Sequence, residues 1–215
     1  MTFPLAFILS VNGGEHHKLR LQQTRAELAR AWPQQPFNWL PAVDASRSHP
    51  VGLPNDLPPT AWACNESHKN ALTVAQNAGL DTVVVFEDDV VCHSDFNREL
   101  EQFLTRVPAY WQMLMLGGEH ITPPAPVCPG VVRCMGTLRT HAYIIRGNAL
   151  NTMRRELTGA KGWVDQLIAR RIHPYLPTYA PAPFWLCGQR AGVSTITGQP
   201  VPELWFNPSD RLPNP

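Results

Sequence analysis

A chain of 215 residues, 44% hydrophobic and 16% charged, suits one globular domain with its own core and excludes a disordered polymer or a membrane-embedded bundle. Its formal net charge of +1 excludes a partner selected by bulk charge alone. The cysteines Cys64, Cys92, Cys128, Cys134 and Cys187 are odd in number and form no C-x-x-C pair. That argues against a zinc ribbon or a disulfide framework and for free thiols in a reducing compartment. Residues 1–10 carry no basic leader and meet polar Asn12 too early for a signal-peptide core. No apolar run approaches the roughly 20 residues of a spanning helix, so a cytoplasmic chain is expected.

In chain order, residues 5–11 read as a buried strand that stops at the turn Asn12-Gly13-Gly14. Residues 17–32 read as an amphipathic helix ended by Pro33, and 37–43 as a second strand. Residues 46–60 are rich in Pro, Ser and Gly and predict a loop. A helix over 61–78 stops at Gly79. Thr82-Val83-Val84-Val85-Phe86 is apolar throughout, as a central parallel strand is, and runs directly into Glu87-Asp88-Asp89.

A helix over 96–107 follows, capped by Asp95, and then a buried strand over 113–116 that ends at Gly117-Gly118-Glu119. Residues 131–134 and 142–145 read as a strand pair, and 147–157 and 163–171 as helices. Residues 1–198 are read as a single domain, and 199–215 as a tail too proline-rich for regular structure. Alternating strands and helices predict an α/β fold with a mainly parallel central sheet, in which ligands sit at the carboxyl ends of the strands.

The charges are segregated. From 81 to 119 the chain is mainly acidic, and from 133 to 190 mainly basic. Opposed halves fit a site that holds a cation and a polyanion together, and equally fit two solvated surfaces of opposite sign. Three adjacent carboxylates at the end of an apolar strand repel one another unless a cation or donor groups offset the cost. Mg²⁺ and Mn²⁺ prefer carboxylate oxygen and leave positions open for phosphate. Strand alternation sets Glu87 and Asp89 on one side and Asp88 on the other. The plainer account is an acidic loop at the start of the next helix.

Ala63-Cys64-Asn65-Glu66-Ser67-His68-Lys69-Asn70-Ala71-Leu72, then Gly79-Leu80-Asp81, then Val84-Val85-Phe86-Glu87-Asp88-Asp89-Val90 resemble glycosyltransferase family 25, the lipopolysaccharide-core and collagen galactosyltransferases. Residues 7–12 with Leu19-Arg20, Ala42-Val43-Asp44-Ala45, Thr140-His141-Ala142-Tyr143-Ile144-Ile145, Val164-Asp165, and Gln189 with Ser194-Thr195-Ile196 agree in order. Ala45 replaces the usual glycine, Ala63-Cys64-Asn65-Glu66 departs from the Gly-Cys that precedes Leu-Ser-His, and Gln112 stands where a Trp-Asp pair is common.

The resemblance implies a GT-A fold and inverting transfer of a hexose from a nucleoside-diphosphate sugar, a UDP-sugar being favoured. It implies Mn²⁺ or Mg²⁺ held by Asp89, with Glu87 near the donor and shared with the metal. The implied acceptor is a lipopolysaccharide or other surface glycan.

Inversion needs a base for the acceptor hydroxyl, and Asp165 and Glu119 are the candidates, Asp165 equally fitting a helix N-terminal charge. His141 is a candidate metal ligand or a packed core histidine. Asn12, Asp44, Ser67, His68, Glu87, Asp88 and Arg139 are candidate donor contacts; Ser67 and His68 are placed at a helix start, and Asp44 also fits a turn. Arg146 and Lys161 join Arg139 as candidates to neutralise a diphosphate. The arginines and aromatics from 133 to 190 also admit DNA with hydroxymethylated bases as acceptor. A non-catalytic sugar-nucleotide-binding module and a metal-dependent nucleotidyltransferase are the competing functions.

Overall fold

The computed structural model describes residues 2–48, 57–193 and 198–205. The chain opens with β1 (Ala6–Val11), α1 (Glu15–Ala31), β2 (Asn38–Ala42), α2 (Pro59–Asn77), β3 (Thr82–Glu87) and β4 (Val90–Cys92). It continues with α3 (Phe96–Arg106), β5 (Met113–Met115), β6 (Glu119–His120), β7 (Ala125–Cys128), β8 (Val131–Arg133), β9 (Thr137–Leu138) and β10 (Ala142–Arg146). It closes with α4 (Gly147–Leu157), α5 (Val164–Arg171), β11 (Thr178–Pro181), β12 (Cys187–Gln189), β13 (Gly192–Val193) and β14 (Pro200–Val201).

Among the described residues the central sheet has eight strands in the order β2-β1-β3-β10-β5-β11-β8-β7. β2, β1, β3, β5, β11 and β7 run one way, and β10 and β8 the other. This is the α/β class read from the sequence. β3 is apolar in every interior position because both of its faces are covered. Val84 and Phe86 point into one core with Leu21 and Leu28 of α1 and Leu100 of α3. Val83 and Val85 point into the other, with Leu72 of α2, Leu150 of α4 and Ile168 of α5. Phe86 is fully buried, so truncation to alanine is expected to cost about 3–5 kcal/mol.

The sequence reading needs four corrections. Residues 131–134 and 142–145 do not pair: β8 lies between β11 and β7, and β10 between β3 and β5. Adjacent runs of like composition carry no information about which distant strand each one meets. α2 starts at Pro59, where proline suits the first turn, so Ser67 and His68 sit mid-helix rather than at its head. Asp95 stands at the N-cap of α3 without a side-chain cap bond, its carboxylate being taken by Arg98 at 2.9 Å. The tail is not wholly irregular, for β14 pairs with β13 and Leu204 bridges Gln189. Ser194-Thr195-Ile196 lie outside the described residues. No helix among the described residues is long and apolar enough to cross a membrane.

Candidate active site at the end of strand β3

β1 and β3 run parallel with Leu9 beside Glu87, so their carboxyl ends open together. Glu87 is the last residue of β3, and Asp88 and Asp89 form the turn into β4. The three carboxylates part company there.

Glu87 turns toward α2. Its Oε1 accepts a hydrogen bond from Thr140 Oγ1 at 2.6 Å and lies 3.2 Å from His68 Nε2. His68 Nδ1 is 3.0 Å from the Tyr143 hydroxyl. Burial pushes the Glu87 carboxyl up, but the hydrogen bond and charge of His68, then Thr140 and His141, outweigh it and hold it down at about 2.

Asp88 turns toward α1. It is buried, accepts from Ser10 Oγ at 2.6 Å, and takes Arg20 Nε and Nη2 on Oδ1 at 2.9 and 2.5 Å. Thr24 Oγ1 donates to its carbonyl at 2.8 Å. This is a scaffold ion pair joining α1 to the turn.

Asp89 is left between them. Its Oδ2 is 3.4 Å from Arg20 Nη2 and 3.5 Å from Gln189 Nε2, while Oδ1 is buried with no hydrogen-bond partner among the described residues. Burial, then repulsion from Glu87 and Asp88 against the pull of Arg20, raises its carboxyl to about 7. The turn is pinned by the β4–β12 ribbon: Arg190 N donates to Asp89 O at 2.6 Å and Arg190 Nη2 to Val90 O at 3.1 Å.

Residues 139–141 gather the other candidates. Arg139, with φ of 76°, lies in the left-handed region that costs a side-chain residue about 1 kcal/mol or more. Its backbone N–H points at Asp165 Oδ2 at 3.3 Å, and its guanidinium pairs with buried Glu119 at 3.1 Å. The Asp165 carboxylate also accepts from Gln166 N at 2.8 Å in the first turn of α5. Thr140 reaches Glu87, and the His141 carbonyl accepts from Glu87 N at 3.0 Å.

The His141 ring is fully buried, with Nε2 3.3 Å from Cys187 O and Nδ1 without a partner. Burial pushes it down to about 4, so it is neutral. A Cβ on Gly117 would collide with this ring and with Cys187 O, which is why the end of β5 needs glycine there.

Other candidates fall elsewhere. Ser67 Oγ donates to Ala63 O at 2.7 Å and accepts from Val43 N at 2.8 Å, tying α2 to the end of β2. Asp44 holds its own turn through Ser46 and pairs with Arg47 at 3.3 Å. Arg146 lies at the far end of β10, opposite Thr82, stacked 3.9 Å over Trp111; the antiparallel run of β10 carries it away from the site. Lys161 is exposed ahead of α5. Asn12 borders a cavity of about 380 Å³ between α1 and the ends of β1 and β2, beside Lys18, Arg25 and Trp39. Arg20 and Cys64 are central residues that sequence reasoning left without a role, since nothing local distinguishes them.

The chain matches no protein-family model, and no curated protein matches it. Among solved structures it is similar to a glycosyltransferase involved in glycosylation of the major capsid of PBCV-1, with 10% identity, 82% of this chain and 81% of that chain covered, and a TM-score of 0.49. It is also similar to mannose-1-phosphate geranyltransferase from Thermus thermophilus, with 11% identity, 84% and 73% covered, and a TM-score of 0.45.

Proposed function

We propose that this chain is a GT-A hexosyltransferase of the family 25 type. It moves a hexose from a nucleoside-diphosphate sugar, by preference a UDP-sugar, to an acceptor hydroxyl with metal assistance and inversion. The observation that supports this reading is Asp89, a carboxylate in the turn just past a central strand, with a buried oxygen that has no hydrogen-bond partner among the described residues and a carboxyl raised to about 7 by burial and its acidic neighbours.

Carboxylate oxygen such as that of Asp89 is what Mn²⁺ and Mg²⁺ take, and both ions leave room for phosphate. Asp89 would hold the ion, with Glu87 and the unpartnered Nδ1 of His141 as the further candidate ligands. When bound, the ion acts as a Lewis acid on the leaving diphosphate. Asn12, Lys18 and Arg25 around the cavity suit the nucleotide. Arg139, with 40% of its side chain exposed and held by Glu119, supplies positive charge beside the donor.

Asp165 is half-buried and Glu119 buried and ion-paired, so Asp165 is the better base. Its carboxylate takes the proton of the acceptor hydroxyl as that oxygen bonds to the anomeric carbon and the bond to the diphosphate breaks. A surface glycan is the acceptor the resemblance implies.

The test is nucleotide release from UDP-, GDP- and CMP-sugars with and without Mn²⁺. Release of one nucleotide only with metal, about 10²–10⁴-fold slower transfer to an acceptor in Asp165→Asn, is the expected result. Neither release nor binding with any donor would overturn the reading. Strongly salt-dependent transfer to hydroxymethylated DNA would replace the glycan as acceptor.

A further inference from the structure

Cys64 and His68 stand one turn apart on α2, and residues four apart on a helix share a face. Glu87 meets them from the end of β3. A sulfur of Cys64, a ring nitrogen of His68 and a carboxylate oxygen of Glu87 all lie within 4.8 Å of one another, and among the described residues this is the group so arranged. His68 Nε2 and Glu87 Oε1 are 3.2 Å apart. Two ligands held at ~2.0–2.1 Å by a tetrahedral ion are separated by about 3.3 Å, so these atoms already stand at the right spacing.

Both ligands are braced from behind. The Tyr143 hydroxyl, 3.0 Å from His68 Nδ1, can accept from an Nδ1–H and so orient Nε2 toward an ion, and Thr140 Oγ1 holds the carboxylate at 2.6 Å. Outer partners of this kind orient metal-bound imidazoles and carboxylates.

We propose that Cys64, His68 and Glu87 form a zinc site with a fourth position open to water. A thiolate–imidazole–carboxylate set selects a borderline-soft ion such as Zn²⁺ over Mg²⁺ or Mn²⁺, which separates it from the thiolate-free, hard-ion chemistry proposed at Asp89. As the Sγ–Zn bond forms, the thiol proton passes to solvent, the proton that His68 Nε2 shares with Glu87 in the metal-free chain is lost and Nδ1 is left protonated toward the Tyr143 hydroxyl, and the ion takes the place of the His68–Glu87 hydrogen bond. The zinc site stands whether or not the donor reading holds. Only its consequence rests on that reading: zinc withdraws Glu87 from the donor and inhibits transfer.

The test is addition of Co²⁺ to the metal-free full-length chain, read by absorption. A near-ultraviolet thiolate-to-cobalt band that saturates at one ion per chain, is displaced by Zn²⁺, disappears in Cys64→Ser and persists in Asp89→Ala supports the site. No such band, or one that survives Cys64→Ser, overturns it. A second measurement needs no variant: Zn²⁺ slows alkylation of Cys64 at least ~10-fold, the protection that sequestering the thiolate on the metal gives, and leaves exposed Cys128 unchanged. Equal rates at Cys64 with and without Zn²⁺ also overturn it. A cobalt band without Mn²⁺-dependent release of nucleotide would remove the transfer reading and leave the zinc site intact.

Discussion

The two sides of the Glu87-Asp88-Asp89 turn solve the same electrostatic problem differently. Toward α2, Glu87 sits at the end of a finished relay of Tyr143, His68 and Thr140, and its carboxyl is held down at about 2. Toward α1, Arg20 is committed to Asp88 and only grazes Asp89, whose carboxyl is raised to about 7 with one oxygen unpartnered. One side is hydrogen-bonded within the chain, and the other keeps a buried carboxylate oxygen without a partner among the described residues. Adjacent residues of one chemical type therefore take different roles, because their partners come from different elements.

The largest expected way to break this contrast is Arg20→Met. It strands Asp88, which is 7% exposed, without its counter-charge. The expected loss is about 3 kcal/mol, near the low end for a broken buried pair because the site borders solvent. Urea unfolding measures it, and a loss under about 1 kcal/mol would mean that Asp88 is not held as described. His68→Phe on the other side leaves Tyr143 and Glu87 short of a partner and is expected to cost about 1–3 kcal/mol, with the Glu87 carboxyl moving up toward ordinary values. Isotope-edited titration of the Glu87 carboxylate checks the direction.

A smaller effect is the pH dependence of the metal-free chain. Asp89 keeps a proton in the folded state between its ordinary value of 3.8 and about 7, where the unfolded chain has lost it. Its contribution to stability therefore falls as pH rises through that window. Glu87, depressed from 4.5 to about 2, contributes stability above 4.5 that is lost as pH falls toward 2. Asp89→Asn is thus expected to raise the melting temperature at pH 8 in chelator, by about 2–4 °C for each kcal/mol of repulsion removed. A lower melting temperature in Asp89→Asn would contradict the repulsion.

What was legible in the sequence was local. The all-apolar run of β3, the helical stretches of α1, α3, α4 and α5, and the triplet at a strand end each need only a few neighbouring residues, and each is within two residues of where the sequence puts it. What was illegible was pairing over distance. Arg20 meets Asp88 across 68 residues. β4, β6, β9 and β12 are two or three residues long and exist only through distant partners. The split of Glu87 from Asp88 follows strand alternation, but Asp89 lies in the turn, where alternation no longer applies. Cys64 is read as a free thiol and as part of the stretch that carries the resemblance, with no role of its own, because its relation to Glu87 needs the packing of α2 against β3.

The most direct test of the central claim is titration of Mn²⁺ into the protein with a nucleoside diphosphate present, the free ion being followed by its paramagnetic resonance. Binding of one ion per chain, strengthening as pH rises toward 7 and weakened about 10²-fold or more in Asp89→Ala, is the predicted result. Unchanged binding in Asp89→Ala would contradict it.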